Sequence, residues 1–307
     1  MSWLIAGGQK SVCREEGITR RGEVMKSRDT FLISVVLVLF GLGHVQAESW
    51  TALNMPGAKS TFITGVSGNN IVGYYWDASY NTHGCLYNGT TWTTLDKPGS
   101  DYTEIYGVDG SNLVGSAGNH GFRYNGTTWT TIDKPGAWTS INDISGNKLV
   151  GSYYDGSYTH GFLYNGTTWT TLDMPWTTQL DTEIRSISGN NMVGEYWGET
   201  GYQGFLYDGK TWTTLSMPGA DLIQVNGIDR SNIVGGAGSH GFLYNGSGWI
   251  TLDMPGAWWT EIYSIDGSNL VGQYGDYLGT HGFIYTIPEP ATLLLFAFGG
   301  LALRRKR

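Results

Sequence analysis

Six variants of one phrase, Trp-Thr-Thr-Leu-Asp-x-Pro-Gly, start at Trp50, Trp92, Trp129, Trp169, Trp212 and Trp249, at intervals of 42, 37, 40, 43 and 37 residues. A period near 40 residues marks a stacked or radial repeat architecture, in which each unit buries its apolar face only against its neighbours. Because the phrase recurs once per unit, its residues are scaffold before they are anything else.

Each unit carries four short runs rich in Trp, Tyr, Phe, Val, Ile and Thr, separated by turn residues, as strands are. In the sixth unit they are 249–252, 260–265, 269–274 and 281–285. No apolar period of 3.6 residues competes with them. Four strands in about 40 residues is the blade of a β-propeller. The array begins on the Trp strand at Trp50 and ends on a His-Gly-Phe-Ile-Tyr strand at Tyr285, so the register is offset by one strand. An open solenoid gains nothing from that offset and needs capping units instead. A ring gains closure. The sequence therefore predicts an all-β, six-bladed propeller of four-stranded blades, with the N-terminal strand completing the last one.

Counted outward from the channel, the strands are a (Thr-Glu-Ile in unit six), b (Asn-Leu-Val-Gly), c (His-Gly-Phe) and d (Trp-Ile-Thr-Leu). The a–b and c–d links are short, and Asn-Gly and Asp-Gly at the c–d link predict type I′ hairpins. That fit accounts for the sequons at Asn88, Asn125, Asn165 and Asn245 without glycosylation. These links share one face. The d–a and b–c loops share the other and hold nearly all the length variation. From the b-strand Gly to the c-strand His (Gln203 in unit four) lie 9, 4, 8, 8, 4 and 8 residues. Units 1 and 4, 2 and 5, and 3 and 6 share loop sequences at a superperiod of 119–120 residues. A duplicated three-blade half, with two similar loop clusters, is the expectation.

The ends of the chain are of another kind. From Met25, the better start, a basic residue or two precede an apolar run over 31–42 and then Val45-Gln46-Ala47. That order predicts a signal peptide cleaved after Ala47. At the other end Pro288-Glu289-Pro290 precedes thirteen apolar residues and Arg304-Arg305-Lys306-Arg307. Thirteen is fewer than the roughly 20 a bilayer-spanning helix needs. The three parts in this order resemble the PEP-CTERM sorting signal. The resemblance implies export across the inner membrane of a Gram-negative bacterium that makes exopolysaccharide. It also implies a short transmembrane helix as an intermediate, removal of the tail by an exosortase-type protease, and residence in the outer envelope or matrix. The expected division is 1–47 for extension and signal, 48–286 for the propeller, and 287–307 for the sorting signal.

Between the two ends there are 8 basic and 21 acidic residues, a net charge of −13. Such a domain repels nucleic acid and anionic membrane. Cys85 is the one cysteine left after processing, so no intrachain disulfide is available. It stands where the other units have Phe and is read as a small core residue.

Candidate chemistry is sparse. His83, His120, His160, His240 and His281 recur once per blade, on a circle too wide for one metal ion. They are read as structural hydrogen-bonding groups. Asp96, Asp133, Asp173 and Asp253 are read as organisers of the following turn. Calcium at such turns is the one metal left open, and no cofactor is expected. Asp208-Gly209-Lys210-Thr211-Trp212 resembles the Asp-box of sialidase propellers, one residue short. Those enzymes also need three Arg around a carboxylate, and Arg123, Arg185 and Arg230 fall on strands and turns of different blades. No nucleophile–base motif stands out, so a non-enzyme is expected.

What remains is the loop face. Tyr75, Trp76 and Asp77 of blade 1, Trp138, Tyr154 and Asp155 of blade 3, Tyr196 and Trp197 of blade 4, and Trp258, Trp259 and Asp276 of blade 6 mix aromatic rings with carboxylates. That mixture suits stacking on sugar rings while bonding hydroxyls. The repeat also resembles the extracellular HAF repeat, which implies an exported domain without implying an activity. The expected function is a non-catalytic module for exopolysaccharide. The alternatives are a protein-interaction scaffold of the envelope and a carbohydrate-active lyase or hydrolase.

Overall fold

The computed structural model describes residues 49–176, 181–199 and 201–287. The signal segment, the sorting motif at 288–290 and the tail lie outside them. Strand β1 (Ser49–Leu53) comes first. Blade 1 is β2 (Ser60–Ser67), β3 (Asn70–Trp76), β4 (Thr82–Tyr87) and β5 (Trp92–Thr94). Blade 2 is β6 (Glu104–Asp109), β7 (Asn112–Ala117), β8 (His120–Tyr124) and β9 (Trp129–Thr131). Blade 3 is β10 (Trp138–Ser145), β11 (Lys148–Tyr154), β12 (Thr159–Tyr164) and β13 (Trp169–Thr171). Blade 4 is β14 (Thr182–Ser188), β15 (Asn191–Gly198), β16 (Gly201–Tyr207) and β17 (Trp212–Thr214). Blade 5 is β18 (Gln224–Asp229), β19 (Asn232–Ala237), β20 (His240–Tyr244) and β21 (Trp249–Leu252). Blade 6 is β22 (Trp259–Asp266), β23 (Asn269–Asp276) and β24 (Gly279–Thr286).

Each blade is an antiparallel meander, and β1 supplies the fourth strand of the last one. It pairs with β24 from Ser49 opposite Thr286 to Leu53 opposite Gly282. Trp50 then seats against Phe283 and Tyr285 at 5.0 and 4.5 Å, as Trp129 does against Phe122 and Tyr124. The ring is closed by a strand that the offset of the first phrase predicts. The first strand of each blade touches those of both neighbours, and these six surround the channel.

The apolar cores lie between blades. Val72 of blade 1 packs with Ile105, Leu113, Phe122 and Trp129 of blade 2, and the same arrangement recurs around the ring. Phe122, Phe162, Phe205, Phe242 and Phe283 are wholly buried, each worth about 1.5–3 kcal/mol of apolar transfer. Cys85 fills the same position in blade 1, and burial pushes its thiol up to about 12.

Every inner strand carries a β-bulge at one place, with the register shifting across Thr64, Tyr106, Asn142, Arg185, Asn226 and Tyr263. The bulge explains the invariable Val-Gly of the second strand. A Cβ at Gly73, Gly115, Gly151, Gly194, Gly235 or Gly272 would lie 1.8–2.1 Å from a carbonyl oxygen of the bulged strand. No side chain fits there. A bulge also re-aims its extra residue, and all six, Thr64, Tyr106, Asn142, Arg185, Asn226 and Tyr263, line the channel cavity.

The turns differ from expectation at one link. Asn88 keeps a negative φ while Gly89 lies at +92°, so the c–d link is not a two-residue type I′ turn. Residues 88–91 form a four-residue loop closed by Asn88 N–H donating to the Thr91 carbonyl at 3.2 Å. The Asn88 side chain accepts from the amides of Thr90 and Thr91 at 3.0 and 2.8 Å. Asn was chosen for its side-chain acceptor, and Asp208 does the same.

Candidate functional site at the loop face and channel mouth

The recurrent histidines are staples. His83, His120, His160 and His240 place Nδ1 2.7–2.9 Å from Asp96, Asp133, Asp173 and Asp253, each just past the end of the adjacent fourth strand. In blade 6 His281 meets Asn54 at 3.3 Å, and in blade 4 Gln203 accepts from Tyr196 Oη at 2.7 Å. In four blades the phrase's Asp and the His before the Gly are thus two ends of one contact. Hydrogen bonding and charge from Asp96 and Asp77 raise the pKa of His83. For His160, Asp173 and Asp155 outweigh the opposing effect of burial.

Three carboxylates expected to face a ligand are spent on the loops. Asp77 accepts from the amides of Ser79 and Asn81 and from Asn81 Nδ2, all at 2.8–2.9 Å, and these bonds hold its carboxyl down to about 2. Asp155 accepts from Ser157 and Tyr158 and meets His160 Nε2 at 3.2 Å. Asp276 accepts from Leu278 N and meets His281 Nε2 at 3.1 Å. Both have lowered pKa values for the same reason.

The aromatic residues divide likewise. Tyr75 stacks on His83 at 5.2 Å and its hydroxyl meets Thr94 at 2.9 Å. Tyr196 is buried, with its hydroxyl on Gln203 and Thr214, so it is a brace and not an exposed ring. Trp259 is half-buried, its indole lying over Gly275. Trp76 packs on Phe62 and Trp197 on Tyr202, both edge-on, with about a third of each exposed. Trp138 is 60 % exposed, beside Tyr154 at 5.7 Å, and Trp258 is 68 % exposed.

Trp138 and Tyr154 border a cleft of about 330 Å³ on the loop face, with Ser116, Ser140, Ser152 and Glu183 also lining it. That volume falls in the range of small-molecule sites, about 300–1,000 Å³. Glu183 ties this cleft to the channel. Its Oε1 accepts from Asn142 Nδ2 at 3.2 Å, and its Oε2 pairs with Arg185 Nη2 at 3.1 Å.

The channel carries an alternation that the sequence reading missed. Glu104, Glu183 and Glu261 sit on the inner strands of blades 2, 4 and 6, each two residues before Tyr106, Arg185 or Tyr263. Tyr106 and Tyr263 donate their hydroxyls to Glu104 and Glu261, the latter at 3.0 Å. The same register in blades 1, 3 and 5 holds Phe62, Ser140 and Gln224. The recurrent Thr-Glu-Ile at 103–105, 182–184 and 260–262 was the signal available. Glu195, on the second strand of blade 4, is 4 % exposed and lies across the sheet from Glu183. Burial raises its carboxyl to about 7; Arg185 opposes the rise, and Glu183 and Glu261 add to it.

Among the described residues no group of three His, Cys, Asp or Glu is placed to hold a metal ion, and no helix is long and apolar enough to cross a membrane.

Comparison with known proteins adds the following. The PEP-CTERM protein-sorting motif matches residues 286–307. No curated protein matches the chain. Among solved structures, the Aleuria aurantia lectin in complex with α-methyl-L-fucoside is 13% identical over 78% of this chain and 99% of its own, with a TM-score of 0.41. Virginiamycin B lyase from Staphylococcus aureus is 10% identical over 78% of this chain and all of its own, at 0.42. Trypanosoma rangeli sialidase is 10% identical over 78% of this chain and 59% of its own, at 0.46. The fold together with the C-terminal motif makes this chain an exported β-propeller protein that is sorted by processing at the membrane.

Proposed function

We propose that the propeller is a non-catalytic binding module for exopolysaccharide in the outer envelope or matrix of a Gram-negative bacterium. The observation that carries this reading is the cleft bordered by Trp138 and Tyr154. It combines exposed aromatic surface with hydroxyls from Ser116, Ser140 and Ser152 and a carboxylate from Glu183. Flat apolar rings beside hydroxyl and carboxylate partners match the alternating apolar face and hydroxyl rim of a sugar. Trp138 is exposed without a scaffold role, whereas the other candidate rings mostly brace the blades.

The test is binding of exopolysaccharide from an exosortase-bearing bacterium to the purified chain, followed by tryptophan fluorescence. Binding that Trp138→Ala abolishes supports the reading. Binding unchanged by Trp138→Ala, or no binding to any polysaccharide, overturns it. Shortening of the polymer by the protein would replace it with an enzymatic one.

A further inference from the structure

The recurrent histidines do not all make the same contacts. In blades 2 and 5, where four residues separate the second-strand Gly from the His, His120 and His240 are exposed and each meets one carboxylate through Nδ1. One N–H suffices there, so a neutral ring makes the contact. In blade 3 the connection is eight residues long, and His160 is buried between two carboxylates. Its Nδ1 lies 2.9 Å from Asp173 Oδ2, and its Nε2 lies 3.2 Å from Asp155 Oδ2. An ionised carboxylate only accepts, so both contacts are hydrogen bonds only when both ring nitrogens carry protons. Asp155 is kept ionised by the bonds it accepts from Tyr158 and Ser157, which lower its pKa. A neutral ring keeps one N–H and turns a lone pair toward the other carboxylate.

The contact with Asp173 is the one the other blades share, which makes the contact with Asp155 the one a neutral ring gives up. The two oxygens of Asp155 have separate tasks. Oδ1 accepts from the amides of Ser157 and Tyr158 at 2.8 and 3.0 Å and builds the turn, while Oδ2 reaches His160. Loss of the second contact leaves the turn formed but detaches it from the blade. Residues 155–158 lie between Tyr154 and Thr159, both of which line the cleft, so that attachment sets one of its walls. The groups facing the ring come from four elements. Asp173 lies past the outer strand, Asp155 in the loop, and Tyr153 of the second strand stacks on the imidazole at 5.0 Å. Asp181 accepts from the neighbouring Thr159 amide at 2.9 Å. The two carboxylates in contact favour the charged ring; the Lys134 ammonium, which opposes it, sits over the Tyr153 ring at 5.1 Å. Blade 1 holds a looser copy, with His83 Nε2 at 3.6 Å from Asp77.

We propose that His160 is a proton-operated latch on the blade 3 loop: as imidazolium it ties residues 155–158 to the end of the outer strand, and as neutral imidazole it releases them and loosens the cleft wall at Tyr154. Burial opposes the charged ring, but Asp173 and Asp155 outweigh it and raise the pKa. Release therefore comes as pH rises beyond the ordinary histidine value, about 6.5. The latch goes beyond the polysaccharide reading and does not depend on it, because the loop can be followed without any ligand.

The test is NMR on the full chain, with backbone order parameters at residues 156–158 measured beside the His160 ring titration, from about pH 5.5 to about pH 8.5. The loop should be rigid at the acid end, with order parameters near about 0.85, and should fall below about 0.6 at the alkaline end. The midpoint should coincide with the titration of the ring. The short turn at 118–119, beside His120, should not respond. His160→Gln, the residue type that blade 4 carries at this position (Gln203), should make the loop's order independent of pH. Asp155→Asn keeps an oxygen for the turn and replaces the other by an amide that donates only to a neutral Nε2, so the response should vanish or reverse in sign. An unchanged loop across the His160 titration overturns the latch. So does a response that persists in His160→Gln, or one that Asp155→Asn leaves like the parent's.

Discussion

Glu195 on the second strand of blade 4 faces Glu183 on the first, two carboxylates of like charge in direct cross-strand register. Like charges so placed destabilise a sheet, and here Arg185 lies beside them as the compensating cation. The pair is an internal strain on the ring that a purely structural channel would not need.

A stability profile follows from that pair. The folded-state pKa of Glu195, about 7, exceeds its unfolded value near 4.5. Between these values the folded chain holds a proton that the unfolded chain has lost. Stability is therefore greatest below pH 4.5 on this account, and it falls as pH rises toward 7, by up to about 3 kcal/mol. Asp143, raised by burial to about 6, acts in the same direction. Asp77, held down to about 2, opposes them only below about pH 4. Urea unfolding between pH 4 and 8 should show maximal stability on the acid side of neutrality. Glu195→Gln should flatten the fall and stabilise the protein at pH 8. An unchanged slope in that variant would refute the assignment.

The histidine staples extend the same trend. His83 and His160 have raised pKa values, so their contribution is complete below about pH 6.5 and is lost as pH passes their folded values. The His83 pair is partly exposed, which limits it to well under about 1 kcal/mol. NMR titration should place both imidazoles above the ordinary histidine range. Asp96→Asn should return His83 toward that range and leave His160 where it was.

Arg230 shows what the inner turns demand. It sits at φ +58°, where the corresponding residues Gly68, Gly110, Gly146, Gly189 and Gly267 lie between +57° and +66°. Positive φ costs a side-chain-bearing residue about 1–2 kcal/mol. Its amide still donates to Ser188 Oγ at 3.0 Å, one link of a belt in which the amides of Gly68, Gly110, Gly146, Arg230 and Gly267 each donate to the preceding blade. Gly68 N donates to Asp266 Oδ2 in that belt, across the junction of first and last blades. Arg230→Gly keeps the amide and removes the strain. It should raise stability by about 1 kcal/mol in thermal melts. No gain would mean that the arginine side chain supplies an offsetting contact.

The architecture was legible because strand phrases recur: blade number, strand order and ring closure all follow from where Trp50 and Tyr285 fall. The site was harder to read for a physical reason. A strand's two faces differ by one residue, and a bulge reverses them, so Tyr106, Arg185 and Tyr263 could not be assigned to the channel without seeing the register shift. The loops misled in another way. Trp138 pairs with Tyr154, and its structural counterpart in blade 6 is Trp259, opposite Gly275; Trp258 is an added residue. The Pro-Gly-Ala-Trp that both loops carry, at 135–138 and 255–258, aligns Trp138 with Trp258 instead. Asp77, Asp155 and Asp276 looked free because a sequence does not show a loop folding back on its own carboxylate.

Two tryptophans separate scaffold from site. Trp129 lies between Phe122 at 4.9 Å and Tyr124 at 4.5 Å in the blade core, whereas Trp138 stands exposed beside the cleft. Trp129→Ala should cost about 3–5 kcal/mol, the usual loss for a large aromatic removed from a core. Trp138→Ala removes contacts mainly with Tyr154 and water, so its unfolding midpoint should stay within about 0.5 kcal/mol of the parent. Its affinity for polysaccharide should nonetheless fall at least about tenfold, since an exposed aromatic platform carries much of a sugar's apolar contact. Denaturant melts and the fluorescence titration, run on both variants, decide the matter. A Trp138→Ala protein that is destabilised as strongly as Trp129→Ala would make Trp138 part of the blade packing, and the cleft would lose its claim to be a site.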